Sequence, residues 1–304
     1  MHGLAPRTRS LVPLSVKQRM LAMRDPRYRA QRRRDETLEA LGAMPRHQAG
    51  TTELLGARFH FLDGRSFRDL YREIFVRELY KFTPATPTPL ILDCGANVGL
   101  ATRYWKATIP ASRVIAFEPD PVAVEIFRAN MRAGGLTDVD LQCAAVWVNN
   151  EAVPWSGDNG DAGRVAGHVA GRLDSGSGSD SEEEPPSESS VAGRRLRDFL
   201  TEPIDLLKMD IEGAEVDVLI DCADRLVCVD RLFVEYHGFA GREQRLVELL
   251  TLLEGSGFRS YVQHEGRPAP RPFVEVPTML GMDVQLNIFC TRNATERETG
   301  ATKT

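Results

Sequence analysis

Short apolar runs alternate with amphipathic segments over most of the chain beyond residue 90. Seven runs predict buried strands, at 90–92, 113–117, 139–146, 204–209, 231–235, 258–263 and 285–290. Most of the intervening segments have helical spacing of apolar residues, and such alternation usually builds a parallel sheet with helices on both faces. The pattern therefore predicts an open, doubly wound α/β sheet. Because no helix separates the last two strands, the final strand is expected to pair antiparallel.

The first 82 residues are predicted to form a basic helical arm and cap. Four elements are expected there, namely helices at 16–23 and 28–41, a hairpin-like piece at 57–62 and a helix at 66–82. Ser66 is the expected N-cap of the last helix. The proline-rich run at 83–89 cannot continue a helix and marks the start of the main domain. The basic arm is interpreted as solvated or core-packing, with a transit peptide or a surface-binding helix as alternatives.

The main domain is predicted to span residues 83–292 and to be followed by a tail at 293–304. One segment, 156–190, interrupts its pattern because it is rich in Gly, Ser, Asp, Glu and Pro. Such a composition cannot bury enough apolar surface to offset the entropy of ordering the chain. We therefore predict a largely disordered acidic surface insertion. The alternative interpretation is a lid or a partner-binding loop.

Composition and charge narrow the range of partners. The 304 residues carry a formal net charge of −5 at pH 7, which gives no reason to expect nucleic acid as a partner. The five cysteines have no metal-ligand or disulfide spacing, so reduced thiols and a cytoplasmic location are expected. No apolar run is long enough to predict a membrane span.

A turn of small residues, DCGANVG at 93–99, follows the first strand of the main domain. Its glycines let the backbone approach a ligand closely, and the amides at the next helix N-terminus favour a negative group. S-Adenosylmethionine offers a carboxylate for these amides and an ammonium group for the acid. The spacing differs from the G-x-G-x-x-G of dinucleotide-binding proteins. Five turn residues are assigned to cofactor binding, namely Asp93, Gly95, Ala96, Asn97 and Gly99.

An acid, Glu118, ends the second strand. A carboxylate at this position faces the crevice and can accept hydrogen bonds from both ribose hydroxyls of a nucleoside. NAD would suit Glu118 equally well, but the combination with Asp93 favours S-adenosylmethionine. The alternative is that Glu118 merely caps the helix that opens at Pro119. Pro119 and Ala145 are also assigned to cofactor binding.

Three acids follow the fourth strand, at Asp210, Glu212 and Glu215. The carboxyl edge of a parallel sheet is where an acceptor should meet the methyl group. Asp210 could act as general base on an acceptor hydroxyl. Alternatively, Asp210 and Glu212 could bind a divalent cation that lowers the pKa of that hydroxyl. A third interpretation is that the acids only complement the dipole of the helix that begins there.

The fifth strand ends with Glu235 and His237, which are two residues apart and therefore point to the same side. His237 is the best single candidate for a base near neutral pH, although a lone histidine is often a structural residue. In the expected sheet order, Asp210 and His237 end neighbouring strands and could both reach one acceptor oxygen. We predict that His237, Asp210 and Glu235 are catalytic.

Taken together, these blocks resemble the FkbM-type methyltransferases. The matching blocks are DCGANVG at 93–99, AFEPDP at 116–121 with Asn130 in the following helix, KMDIEGAE at 208–215 and EYH at 235–237. The resemblance covers about residues 55–290 apart from the acidic insertion. It implies a Rossmann-like, mostly parallel seven-stranded sheet, S-adenosylmethionine as methyl donor, and transfer to a hydroxyl of a sugar or natural product.

Other functions stay open at this point. The same fold can methylate a carboxylate or a nitrogen, and a non-catalytic module could bind S-adenosylmethionine without turnover. An NAD-dependent oxidoreductase is the alternative with a different cofactor. The expected partner is a small-molecule or glycan acceptor, and a homo-oligomer is compatible with the sequence.

Overall fold

The computed structural model describes residues 25–54, 56–156, 164–165, 189–265 and 269–292. Its N-terminal part contains helix α1 (Pro26–Gly42), an antiparallel hairpin of β1 (Gly50–Leu54) and β2 (Ala57–Phe61), and helix α2 (Gly64–Tyr71). A π-helical turn, Arg72–Val76, continues α2. The expected helix at 28–41 and hairpin-like piece at 57–62 are thus confirmed. The expected helix at 16–23 lies outside the described residues.

Asp63, and not Ser66, is the N-cap of α2. Its Oδ1 accepts hydrogen bonds from the backbone amides of Arg65 and Ser66, both at 2.9 Å, so Ser66 lies in the first turn. Burial alone would raise the pKa of Asp63, but the backbone amides of Ser66 and His47 and the side chain of Arg46 lower it to about 2. The predicted helix was also too long, because helical structure ends at Val76 and not at residue 82.

The remaining elements alternate as predicted, except that four strands follow one another between residues 145 and 195. In chain order the strands are β3 (Leu90–Cys94), β4 (Arg113–Phe117), β5 (Val139–Gln142), β6 (Ala145–Trp147), β7 (Ala152–Ser156), β8 (Arg164–Val165), β9 (Ser189–Arg195), β10 (Leu206–Met209), β11 (Arg231–Phe239), β12 (Phe258–His264) and β13 (Met282–Arg292). The helices are α3 (Leu100–Thr108), α4 (Pro121–Ala133), α5 (Glu215–Asp221) and α6 (Leu246–Gly255).

Seven of these strands form the central sheet, in the order β12-β13-β11-β10-β3-β4-β5. Neighbouring strands pair parallel from β11 to β5, and β13 runs antiparallel between β11 and β12. The structure therefore confirms the Rossmann-like, doubly wound α/β fold with its antiparallel last strand. It also confirms that β10 and β11, which carry the predicted catalytic residues, are direct neighbours.

Side chains of β3 enter two separate cores because they alternate between the faces of the sheet. Leu92 packs with α5 and α6, whereas Ile91 packs with α3 and with the N-terminal part. The second core is rich in aromatic rings, and Phe59 of β2 contacts Tyr71 of α2 with a centroid distance of 5.7 Å. The N-terminal part therefore packs directly on the central sheet, and the domain boundary at residue 82 stays a prediction.

The predicted third strand at 139–146 is wrong as a single element. After β5 the Ala144 amide donates to the Gln142 carbonyl at 2.9 Å, and this turn bends the chain out of the central sheet. β6 then pairs with β9 in a separate four-stranded sheet of order β6-β9-β7-β8. The bend brings Ala145 beside the crevice at the edge of the central sheet.

The two ends of the predicted insertion are strand residues. β7 pairs antiparallel with β9, so that Trp155 lies opposite Ser189. Within the insertion, β8 pairs antiparallel with β7. Residues 157–163 and 166–188 of the insertion and the tail at 293–304 lie outside the described residues, and the disorder of the insertion stays a prediction. No helix in the part of the chain that the structure describes is long and apolar enough to cross a membrane.

Candidate active site

The turn at 93–99, called the glycine turn below, lies in backbone contact with the end of β10. Gly95 has a φ of +79°, and a Cβ on it would lie 1.8 Å from the carbonyl oxygen of Asp210. Glycine is therefore required here both by the backbone conformation and by the lack of space. This contact holds the carboxyl ends of β3 and β10 together and fixes the edge at which the predicted site residues lie.

Glu118, at the end of β4, is hydrogen bonded to the glycine turn. Its Oε2 accepts the Asn97 amide at 2.7 Å, and its Oε1 accepts the Asp120 amide at 2.9 Å. Burial raises the pKa of Glu118 to about 7 despite these hydrogen bonds. Glu118 is not the cap of α4, because that N-cap is Asp120, whose side chain accepts the Val122 amide at 2.7 Å.

Asn130 of α4 connects the glycine turn to the N-terminal hairpin. Its Nδ2 donates to the carbonyl oxygens of Val98 (2.7 Å) and His60 (3.0 Å), and its Oδ1 accepts the His60 amide at 2.7 Å. The side chain is fully buried. Asn130, which belongs to the block that carries the family resemblance, therefore holds the position of the turn.

A cavity with about 970 Å³ of empty space, part of it open to solvent, lies at this sheet edge. Its walls include most of the predicted cofactor residues, namely Gly95, Ala96, Asn97, Glu118, Pro119 and Ala145. Asp210 and Glu212 line the same cavity, whereas Asp93 and Gly99 do not. One space therefore connects the glycine turn with the acids that follow β10.

Asp93 is buried behind the cavity wall. Its Oδ2 accepts a hydrogen bond from the Thr102 hydroxyl at 2.8 Å, and its Oδ1 lies 3.4 Å from Nζ of Lys208. Lys208 also donates to the Gly95 carbonyl at 2.7 Å and lies 3.2 Å from Oδ2 of Asp210. Although burial would lower the pKa of Lys208, Asp210 and Asp93 raise it well above its usual value. Lys208 therefore compensates the charge of both acids.

His237 lies among four carboxylates, called the acidic cluster below: Asp210, Glu212, Glu215 and Glu235. The Nδ1 atom of its fully buried ring is 2.8 Å from Oε1 of Glu215. Its Nε2 has no hydrogen-bond partner among the described residues. Three carboxylate oxygens surround that atom at longer distances, from Glu212 at 3.6 Å, from Glu235 at 3.7 Å and from Asp210 at 4.0 Å.

The pKa values of His237 and of two acids in the acidic cluster are shifted from their usual values. Burial raises the pKa of Glu212 to about 7 and also raises the pKa of Glu235. Burial would lower the pKa of His237, but Glu215 and the other acids raise it well above its usual value. Asp210, Glu212 and His237 each present a ligand atom, and these atoms lie within 4.8 Å of one another. Such a set suits either proton transfer or cation binding.

Several wall residues were not predicted from the sequence. They are Leu62, Leu70, Ile74 and Tyr80 of the N-terminal part and Trp155 of β7. Leu70 and Ile74 belong to a stripe of apolar residues at helical spacing. Such a stripe has the same sequence pattern whether it faces a core or a cavity, so the sequence does not identify these residues as part of the cavity wall. Trp155 follows no motif, and its position depends on the pairing of β7 with β9. The contact of Glu215 with His237 was also missed, because it depends on the turn that precedes α5.

Comparison with known proteins agrees with this geometry. The family described as the methyltransferase FkbM domain matches residues 93–260. Methyltransferase 1 of Beauveria bassiana is 28% identical over 206 residues, which cover 64% of this chain and 82% of that protein. The 2-O-methyltransferase NoeI of Sinorhizobium fredii is 32% identical over 157 residues, 49% of this chain and 64% of that protein. The 31-O-demethyl-FK506 methyltransferase FkbM of Streptomyces tacrolimicus is 29% identical over 231 residues, 67% of this chain and 86% of that protein.

The family match begins at Asp93 in the glycine turn and ends at residue 260 in β12, so it includes Glu118, the acidic cluster and His237. The chain belongs to the FkbM family of S-adenosylmethionine-dependent methyltransferases.

Proposed function

We propose that the chain transfers a methyl group from S-adenosylmethionine to a hydroxyl oxygen of a sugar or of a hydroxylated natural product. The observation that carries this proposal is the single cavity shared by the glycine turn, Glu118 and two acids of the acidic cluster. The names of two relatives, a 2-O-methyltransferase and a 31-O-demethyl-FK506 methyltransferase, support a hydroxyl acceptor.

The methyl donor would lie along the glycine turn. Each oxygen of Glu118 already accepts one amide, but a carboxylate oxygen has a second lone pair, so Glu118 can still accept both ribose hydroxyls. The amides that open α3 suit the donor's carboxylate. Because Asp93 is fully buried, its proposed role is to hold Lys208 and not to contact the ammonium group directly.

The acceptor would enter beside the acidic cluster. A lone pair of its oxygen attacks the sulfonium methyl carbon, the carbon–sulfur bond breaks towards sulfur, and S-adenosylhomocysteine and a methyl ether are formed. The hydroxyl proton must pass to a base in the course of this step. Asp210 and Glu212 are the cluster members that line the cavity, and His237 lies behind them with its side chain fully buried. His237 and Glu235 therefore influence the proton transfer indirectly, through these two carboxylates.

The experiment is a transfer assay with methyl-labelled S-adenosylmethionine against mono- and oligosaccharides and hydroxylated polyketides. We expect labelled products that survive mild alkali, because methyl ethers resist alkaline hydrolysis and methyl esters do not. Label lost in alkali would support carboxylate methylation, and label retained on an amine would support N-methylation; either result contradicts the O-methyl proposal.

A non-catalytic module is separated from an enzyme by the same assay. Tight binding of S-adenosylhomocysteine by calorimetry, without label transfer to any acceptor in cell extracts, would favour the module. Binding of NAD in place of S-adenosylhomocysteine would contradict the assignment of S-adenosylmethionine as the cofactor. The cytoplasmic location and self-association stay predictions from the sequence.

A further inference from the structure

The Nε2 atom of His237 is a buried polar atom without a hydrogen bond. The residue is 4% exposed, and no donor or acceptor among the described residues is within hydrogen-bond distance of Nε2. An unpaired buried polar group is costly, so it usually has a partner. The atoms that surround it are carboxylate oxygens of Glu212, Glu235 and Asp210 at 3.6–4.0 Å.

These distances resemble the spacing between ligands of one small cation. Two ligands with metal bonds of about 2.1 Å are about 3.4 Å apart in a tetrahedral site. The observed gaps from Nε2 to Glu212 and Asp210, 3.6 and 4.0 Å, exceed that spacing by a few tenths of an ångström. Small side-chain rotations therefore bring the three groups to bonding distance of a shared ion.

The other ring nitrogen has the partner that a metal-binding histidine needs. Nδ1 faces Glu215 at 2.8 Å, and Glu215 is fixed by the backbone amides of Gly213 at 2.9 Å and Ile211 at 3.3 Å. A histidine that donates Nδ1–H to a carboxylate presents the lone pair of Nε2 in a fixed direction. Here that direction is towards the carboxylates that line the cavity.

We propose that Asp210, Glu212 and His237 bind a divalent cation, with Glu215 orienting the histidine ring. The site rests on the proposed function, since the ion would lie beside the cavity that receives the acceptor hydroxyl. One bound ion also compensates the excess charge of the acidic cluster, since Lys208, which lies 3.2 Å from Asp210, is shared with Asp93. The remaining coordination positions are available to an acceptor oxygen, and the ion lowers the pKa of that oxygen's proton.

The ligand set selects the class of ion. Ca²⁺ binds oxygen ligands in larger sites, so an imidazole nitrogen in a three-residue site argues against it. The absence of thiolate among the three ligands argues against soft ions. Mn²⁺ and Zn²⁺ accept one imidazole and two carboxylates, and Mn²⁺ serves as the probe because its binding is read directly by electron paramagnetic resonance.

The experiment titrates MnCl₂ into the full chain, with and without S-adenosylhomocysteine, and follows the signal of free Mn²⁺. The expected result is one site that weakens by at least about tenfold in His237→Gln, in Asp210→Asn and in Glu215→Gln. Glu202→Gln is the matched control, since its carboxylate pairs with Arg113 at the start of β4, at the opposite edge of the sheet. Ions held by the acidic run at 174–188 are common to all variants and cancel in the comparison.

Binding of S-adenosylhomocysteine by the same samples separates the two proposals. Variants that bind it like the wild type are folded, so their loss of Mn²⁺ reports the site alone. If the wild type binds S-adenosylhomocysteine but its Mn²⁺ affinity equals that of His237→Gln, the cation site is overturned and the proposed function stands. If the wild type does not bind S-adenosylhomocysteine, the proposed function fails whatever the Mn²⁺ result.

Discussion

The glycine turn and the acidic cluster face one cavity, but they differ in how their polar groups are satisfied. On the turn side, both oxygens of Glu118 accept backbone amides, and the side-chain amide of Asn130 is bonded to two backbone carbonyls. Oδ1 of Asp93 has no hydrogen bond, but it is paired with Nζ of Lys208 at 3.4 Å. On the acidic side, Nε2 of His237 has no partner among the described residues, and carboxylates lie near it beyond hydrogen-bond distance.

This difference assigns cofactor binding to the turn side and the chemical step to the acidic side. A side whose groups are held by the backbone keeps its shape before the ligand arrives, so its contribution is affinity. On the acidic side, the charge of the carboxylates is balanced only when a proton, a cation or a substrate binds. The contribution of this side therefore depends on the state of the reaction. Substitutions on the turn side should therefore change stability or cofactor affinity, and substitutions on the acidic side should change turnover.

The largest effect is expected for Gly95→Ala. A Cβ at this position would lie 1.8 Å from the Asp210 carbonyl, at a φ of +79°. We expect the free energy of unfolding to fall by roughly 4 kcal/mol or more, measured by urea denaturation. Gly56→Ala is the matched control, because Gly56 has a φ of +80° with nothing within 4 Å. It should lose only about 1–2 kcal/mol. If both variants lost the same free energy of unfolding, the close contact between Gly95 and the Asp210 carbonyl would not be the reason that glycine is needed at position 95.

Asp210→Asn tests the acidic side. It should lower kcat by about two to four powers of ten, because proton removal or cation binding loses a charged oxygen. The affinity for S-adenosylhomocysteine should stay within about threefold of the wild type, since binding is assigned to the other side. Turnover with the acceptor and calorimetry with the cofactor measure the two quantities. Full turnover by Asp210→Asn would leave the acidic side without a catalytic role.

Glu118→Ala tests the turn side and should give the opposite pattern. The affinity for S-adenosylmethionine should fall by about 2 kcal/mol or more, the scale of a lost charged hydrogen bond. Calorimetry measures this, with Glu125→Ala on the exposed face of α4 as the control. An affinity equal to that of the control would remove Glu118 from the cofactor site.

A smaller effect is expected in the pH dependence of stability. Burial, together with repulsion from Glu265 and Glu235, raises the pKa of Glu73 from 4.5 to about 7. Folding therefore favours its protonated form, so this stability is full below pH 4.5 and is lost as the pH rises through 7. Glu73→Gln should reduce the fall in unfolding free energy between pH 5 and 8 by roughly 1–2 kcal/mol. Parallel curves for Glu73→Gln and wild type would show that folding does not raise the pKa of Glu73.

The smallest effect is expected from the acidic insertion, which belongs to neither side. Deleting residues 170–185 keeps β7, β8 and β9 intact and should leave Tm within about 2 °C, because the removed run is too polar to contribute to a core. A fall of many degrees by differential scanning calorimetry would show that the segment packs against the protein.

Features set by local sequence were predictable. Gly95 and Glu118 follow strand ends, where the turn chemistry depends on a few adjacent residues, and the order of strands predicted that Asp210 and His237 would be neighbours. Features set by distant partners were not. The N-cap of α2, Asp63, accepts a hydrogen bond from the distant His47 amide, and β6 pairs with residues 48 positions further along the chain. The Glu215–His237 contact joins the start of α5 to β11, so no single motif contains it.

The pairing of β7 with β9 has a consequence for protein engineering. Two antiparallel strands hold the ends of the intervening segment side by side, with Val153 opposite Val191. For a loop closed in this way, the entropic cost of extra length grows only logarithmically. A fluorescent domain with adjacent termini can therefore be grafted between residues 175 and 176. Because Trp155 in the same ladder lines the cavity, the graft point is connected to the cavity wall through β7.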